Sequence, residues 1–191
     1  MFNALFTKTE EYNKLAQALG SPGACALFGV PGAGRALIYA ALAQALDRPL
    51  CIVTPGEAEA TRFAGDLNAL GITAAVFPAR DYVLRPIEGT GREYEYRRLA
   101  VLGDLVGGRL QAVCVPDEGL TQYTTPRAEF CANTRPLHPG DTLPRAELTA
   151  LLYGAGYARR DQVDGPGQFS IRGDIVDILS LIHISEPTRR S

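Results

Sequence analysis

Eight residues, Gly29-Val30-Pro31-Gly32-Ala33-Gly34-Arg35-Ala36, constrain this chain more than any other stretch. They leave a short apolar run, Ala24-Cys25-Ala26-Leu27-Phe28, and enter an alanine-rich segment. A glycine-rich turn between a strand and a helix is the frame of a phosphate-binding loop. In the pattern G-x-x-x-x-G-K-[ST], backbone N–H groups cradle phosphates, the lysine reaches the β/γ-phosphates and the hydroxyl ligates Mg²⁺. Here Gly29 and Gly34 keep the frame, with Gly32 between them, but Arg35 stands in place of the lysine and Ala36 in place of the hydroxyl. Arginine keeps the charge on a bulkier, planar head, and alanine has no donor for a metal. The loop reads as a degenerate nucleotide site, with Gly29, Gly32, Gly34 and Arg35 as its candidate contacts and without the groups that hydrolysis uses.

The segments around the loop follow an α/β pattern. Tyr12 to Leu19 has helical spacing and stops at Gly20-Ser21-Pro22-Gly23, and the run before the loop is expected to be the first strand. Arg35 to Leu46 carries apolar residues at three- and four-residue steps, as an amphipathic helix does. Pro49 to Thr54 is apolar throughout, which predicts a strand covered on both faces. Glu57 to Leu70 is helical, with Glu57 and Glu59 complementing the dipole of its first turn, and Ala74 to Phe77 is a third strand. Arg92 to Gly107 is helical with a polar face of Arg92, Glu93, Glu95, Arg97 and Arg98, read as solvated. Gln111 to Val115 is a fourth strand. Alternating strands and helices at this spacing predict a parallel sheet. The carboxylate after the fourth strand, Asp117, follows a proline and suits a turn or a helix cap better than metal binding.

After Pro116 the composition shifts to short polar pieces marked by proline, which sets the domain boundary. Phe130 to Leu137 reads as extended, Pro144 to Tyr153 as a short helix, and Tyr157 to Val163 and Gln168 to Arg172 as the two strands of a hairpin turning at Asp164-Gly165-Pro166-Gly167. The apolar run Asp174 to Ile178 follows.

The composition narrows the function. With 191 residues, 46% hydrophobic and 21% charged, the chain can bury a core. A net charge of -2 gives no global reason to bind nucleic acid. No apolar run is long enough to span a membrane, and the first residues lack a signal peptide's pattern, so a cytoplasmic protein is expected. Cys25, Cys51, Cys114 and Cys131 form no C-x-x-C pair, and the first three lie in apolar segments, where buried strand thiols are expected. Neither His138 nor His183 has a partner at metal-ligand spacing.

Several stretches together resemble the N-terminal part of the bacterial transcription-repair coupling factor family (Mfd), whose first domains are similar to those of the excision-repair subunit UvrB. They are the loop at Gly29 to Ala36, Val53-Thr54-Pro55, Phe77-Pro78-Ala79-Arg80-Asp81, and Arg92-Glu93-Tyr94 leading into Arg98-Leu99. The most specific is Gly156-Tyr157 through Arg160-Asp161-Gln162-Val163 with Gly167-Gln168-Phe169-Ser170-Ile171-Arg172-Gly173-Asp174 and Ile175-Val176-Asp177-Ile178. A UvrB-type subunit is the alternative within the superfamily, but Arg35-Ala36 departs from the intact loop that UvrB carries. The resemblance implies a degenerate P-loop-like α/β domain over residues 1–116 and a truncated α+β domain over 117–178 that recruits UvrA. It carries over Arg159 and Arg172, with Arg160 beside them, as UvrA-binding residues. The reading from the residues alone is that these arginines solvate the hairpin or pair with Asp161 and Asp174.

Residues 179–191 depart from the family, which continues with an aromatic and a proline. Leu179-Ser180-Leu181-Ile182-His183-Ile184-Ser185-Glu186-Pro187-Thr188-Arg189 resembles the translation of a sequencing adapter, and the tail is expected to be artefactual. The family's binding domain for RNA polymerase and its motor domains, which work on DNA with ATP and Mg²⁺, would then lie beyond the break, and no cofactor is expected in this fragment. Two other readings stand: a small nucleotide-binding or nucleotide-hydrolysing protein using Gly29 to Arg35, and a fragment too short to fold stably.

Overall fold

The computed structural model describes residues 7–80, 93–135 and 137–180, in two compact units. The first unit takes residues 1–94 and 107–122, the second residues 95–106 and 123–191.

In the first unit, α1 (Glu10–Leu19) starts at Thr9, whose hydroxyl accepts a hydrogen bond from the Tyr12 N–H at 3.3 Å. The glycine loop leads into α2 (Gly32–Ala45), followed by β1 (Leu50–Thr54), α3 (Glu57–Ala69) and β2 (Ala74–Val76). After the start of α4 (Glu93–Val106), whose remainder belongs to the second unit, come β3 (Ala112–Pro116) and α5 (Asp117–Thr121). The sheet runs β1-β3-β2, with both neighbours parallel to β3. Every residue of β3 is buried, as a middle strand covered on both faces must be. Alanines set the packing of α2. Ala36, Ala40 and Ala43 pack with Ile52, Phe63, Leu67 and Cys114, while Ile38, Ala41 and Leu42 pack with Tyr12. Small side chains let α2 be buried along two stripes at once, and the Tyr12 hydroxyl finds its partner there by donating to the Ala41 carbonyl at 3.0 Å.

Three expectations for this unit change. The run Ala24 to Phe28 is not a strand: Leu27 is 49% and Phe28 87% exposed. Both sides of β3 are taken by β1 and β2, and two of the run's five residues are alanine, a weak strand former. β1 is not covered on both faces, because Ile52 and Thr54 are buried while Cys51 and Val53 face outward. Of the three cysteines expected to be buried, only Cys114 is; Cys25 and Cys51 are exposed, as is Cys131 of the second unit. Burial pushes the Cys114 thiol up to about 11, with Cys51 adding to the shift. Asp117 begins α5 and accepts a hydrogen bond from the Glu118 N–H at 2.8 Å.

In the second unit, α6 (Arg127–Ala132) and α7 (Arg145–Gly154) precede a small sheet of β4 (Ala158–Arg159), β5 (Gln168–Arg172) and β6 (Ile175–Leu179). The remaining changes fall here. The stretch read as extended from Phe130 begins inside α6, which is entered from Pro126 and buries Phe130. Arg98 of α4, placed on a solvated face, is 8% exposed and donates to Thr124 Oγ1 at 3.1 Å; its neighbour Arg92 lies outside the described residues. β4 is only two residues long, and it pairs with β5 in parallel rather than as a hairpin. The hairpin joins β5 to β6 instead. Gly173 supplies the reversal with φ +62, the left-handed conformation a two-residue turn requires. Leu179, the first residue of the tail set aside above, closes β6, and its carbonyl accepts the Gly167 N–H at 2.9 Å. The tail from residue 181 lies outside the described residues.

Candidate partner-binding site

The glycine loop turns the chain into a helix. Gly29 turns the chain with φ +76, and α2 starts after Pro31 with no side-chain cap. The Gly34 and Arg35 N–H groups both point back to the Pro31 carbonyl, at 2.9 and 3.3 Å. Arg35 is exposed, while Ala36 is 4% exposed and packed in the core. A side chain at position 36 therefore faces the core, and the strand that should deliver the chain into the loop has not formed.

The second unit presents its arginines differently. α7 meets the small sheet through Tyr153, which packs edge-on against the fully buried Phe169 with centroids 5.3 Å apart, while Leu152 beside it is buried. The other three residues on this face of the hairpin, Ile171, Val176 and Ile178, are half-buried. The opposite face carries Gln168, Ser170 and Arg172 of β5 beside Leu179, Asp177 and Ile175 of β6. Ser170 is buried there, with no hydrogen-bond partner for its hydroxyl.

The ladder sorts the three arginines. Arg159 is paired with Phe169, three residues from Arg172, so the alternation of the strand sets Arg159 and Arg172 on opposite faces. Arg160 follows β4 and donates its backbone N–H to the Phe169 carbonyl at 2.8 Å. Arg159, Arg160 and Arg172 are all exposed. Among the described residues neither Arg159 nor Arg160 is in an ion pair, and the pairing with Asp161 and Asp174 considered above does not form. Arg172 instead reaches across the hairpin to Asp177, Nη2 to Oδ2 at 2.5 Å. Arg145, at the start of α7, donates to the Gly173 carbonyl at 3.1 Å and ties the turn down.

Asp177 and Arg145 were not singled out from the sequence. The signal for Asp177 was present, since it is the one charge within an apolar run, five residues after Arg172 across a Gly-Asp turn. Arg145 reaches the turn from 28 positions earlier in the chain, and no local pattern announces it.

Residues 136–190 match the UvrB interaction domain. The chain is 27% identical over 157 residues to the transcription-repair-coupling factor of Bacillus subtilis (strain 168), covering 81% of this chain and 13% of that protein. It is 25% identical over 168 residues to UvrABC system protein B of Chlorobium limicola, covering 80% of this chain and 25% of that protein. It is 24% identical over 191 residues to the transcription-repair-coupling factor of Staphylococcus aureus (strain MRSA252), covering 99% and 16%. The fold is mixed α/β, and by these matches the chain is similar to UvrB-like proteins, with its last third resembling a UvrB interaction domain. More particularly, the chain is similar to the N-terminal region of transcription-repair coupling factors, and it spans between 13% and 25% of the length of these relatives.

Proposed function

We propose that this chain is a non-catalytic scaffold that recruits UvrA in transcription-coupled nucleotide excision repair. The observation that carries this reading is the coincidence of the UvrB interaction domain match with three exposed arginines on or beside a short sheet. Arg159, Arg160 and Arg172 offer planar forks suited to carboxylates on a partner. In the longer relatives' context, the parent protein is proposed to translocate on DNA with ATP and Mg²⁺ and to displace stalled RNA polymerase in the cytoplasm, using parts outside this chain. None of the helices among the described residues is long and apolar enough to cross a membrane. A pull-down of UvrA by the chain tests the reading: capture is expected, and an Arg159→Ala/Arg172→Ala chain should capture much less. Equal capture by both would argue against it.

The glycine turn at Gly29 to Arg35 supports one alternative, a nucleotide-binding protein. Arg35 and Ala36 weigh against hydrolysis, since neither supplies the compact ammonium or the metal-binding hydroxyl. Calorimetric titration with Mg-ATP separates the two readings. Little heat is expected for a scaffold, whereas micromolar affinity with turnover would favour the alternative.

A further inference from the structure

The β5–β6 turn holds more than an arginine. Arg172 and Ile175 are the register pair that flanks the turn, so they stand side by side on the same face. Ile175 is 65% exposed, in a position where its β-branched side chain has little rotamer freedom left to lose. Arg172 gives one N–H of its five donors to Asp177, and the rest of the guanidinium is open. Asp177 is paired with Ser170 in the ladder, one step diagonal from Arg172 on that same face. The turn itself is fixed from behind by the Arg145 bond to the Gly173 carbonyl.

We propose that this turn is a preorganised two-part anchor. Ile175 enters an apolar depression on the partner, Arg172 meets a carboxylate at its rim, and Asp177 and Arg145 act as positioning residues. The inference rests on the UvrA-recruitment reading and names the surface that performs it. An exposed ion pair such as Arg172–Asp177, at 69% and 41% side-chain exposure, adds little to stability. Its effect is to hold a long, flexible side chain in one orientation, which lowers the entropy lost on docking.

The test measures affinity of the whole chain for the UvrA of the same organism, with melting curves for every variant. Ile175→Ser should weaken binding about tenfold, as expected for an anchor at the centre of an interface. Asp177→Ala should weaken binding about threefold in the wild-type background but have almost no effect in an Arg172→Ala background, because contacting groups are not additive. Asp177→Glu should keep near-normal affinity. Unchanged binding by Ile175→Ser, or an equal effect of Asp177→Ala in both backgrounds, would overturn the anchor and leave recruitment standing. Failure of the wild-type chain to bind would overturn both.

Discussion

The two units spend their residues in opposite ways. The first buries a parallel sheet under alanine-lined helices, and its glycine turn leads into α2 with the Gly34 and Arg35 N–H groups turned back on the Pro31 carbonyl. The second has a sheet of three short strands and little core, yet it exposes three arginines and holds one of them, Arg172, against Asp177. The contrast teaches that a glycine turn recognised in sequence does not by itself supply the groups of a site, and that function is argued from the side chains a fold presents. It also yields experiments that separate the units.

Core truncation gives the largest effects. Phe169→Ala removes the fully buried ring beneath Tyr153 and should cost the second unit about 3–5 kcal/mol. Partner binding should fall with it. Leu67→Ala, equally buried in the first unit, should cost about 2–5 kcal/mol there. Denaturant unfolding followed by hydrogen exchange would show whether each loss stays within its own unit. If either substitution unfolded the whole chain in one step, the two units would be one cooperative body.

Alkaline pH should act on the first unit through Cys114. Its thiol stays neutral in the folded state up to about 11, against 9.0 for an ordinary thiol. The unfolded chain therefore loses that proton first as pH rises. The contribution is fully present below pH 9 and is lost progressively as pH rises toward 11. Melting under reducing conditions should show this slope in the wild-type chain and a flatter one in Cys114→Ala.

Smaller effects belong to the hairpin. Gly173→Ala forces a side chain into the left-handed region and should cost about 1 kcal/mol. Ser170→Ala removes a buried hydroxyl that has no partner, so its melting temperature should hold or rise slightly. A marked fall would mean that the hydroxyl is satisfied in solution.

Much of this architecture was legible in the sequence. The helices at Glu57 and Pro144 were announced by acidic first turns, proline and glycine stops, and β3 by an unbroken apolar run. What could not be read was tertiary. Ala24 to Phe28 and Gln111 to Val115 look alike as short apolar runs, but only the second gained strands on both sides. The parallel pairing of β4 with β5 depends on a long-range match of two residues, whereas the turn at Asp164 to Gly167 suggested a local hairpin. Arg98 looked solvated because helical charge patterns do not reveal a packing neighbour such as Thr124. For the candidate site, Arg159, Arg160 and Arg172 came from a family resemblance. The faces they occupy needed the ladder, and Asp177 needed the turn that brings it back to Arg172.

The most direct test compares one arginine of the loop with those of the small sheet. UvrA affinity should be measured by calorimetry for the wild-type chain, for Arg35→Ala and for Arg159→Ala/Arg172→Ala. The account predicts wild-type affinity for Arg35→Ala and a loss of about tenfold or more for the double variant, with melting unchanged in both. Weakened binding by Arg35→Ala together with normal binding by the double variant would contradict it.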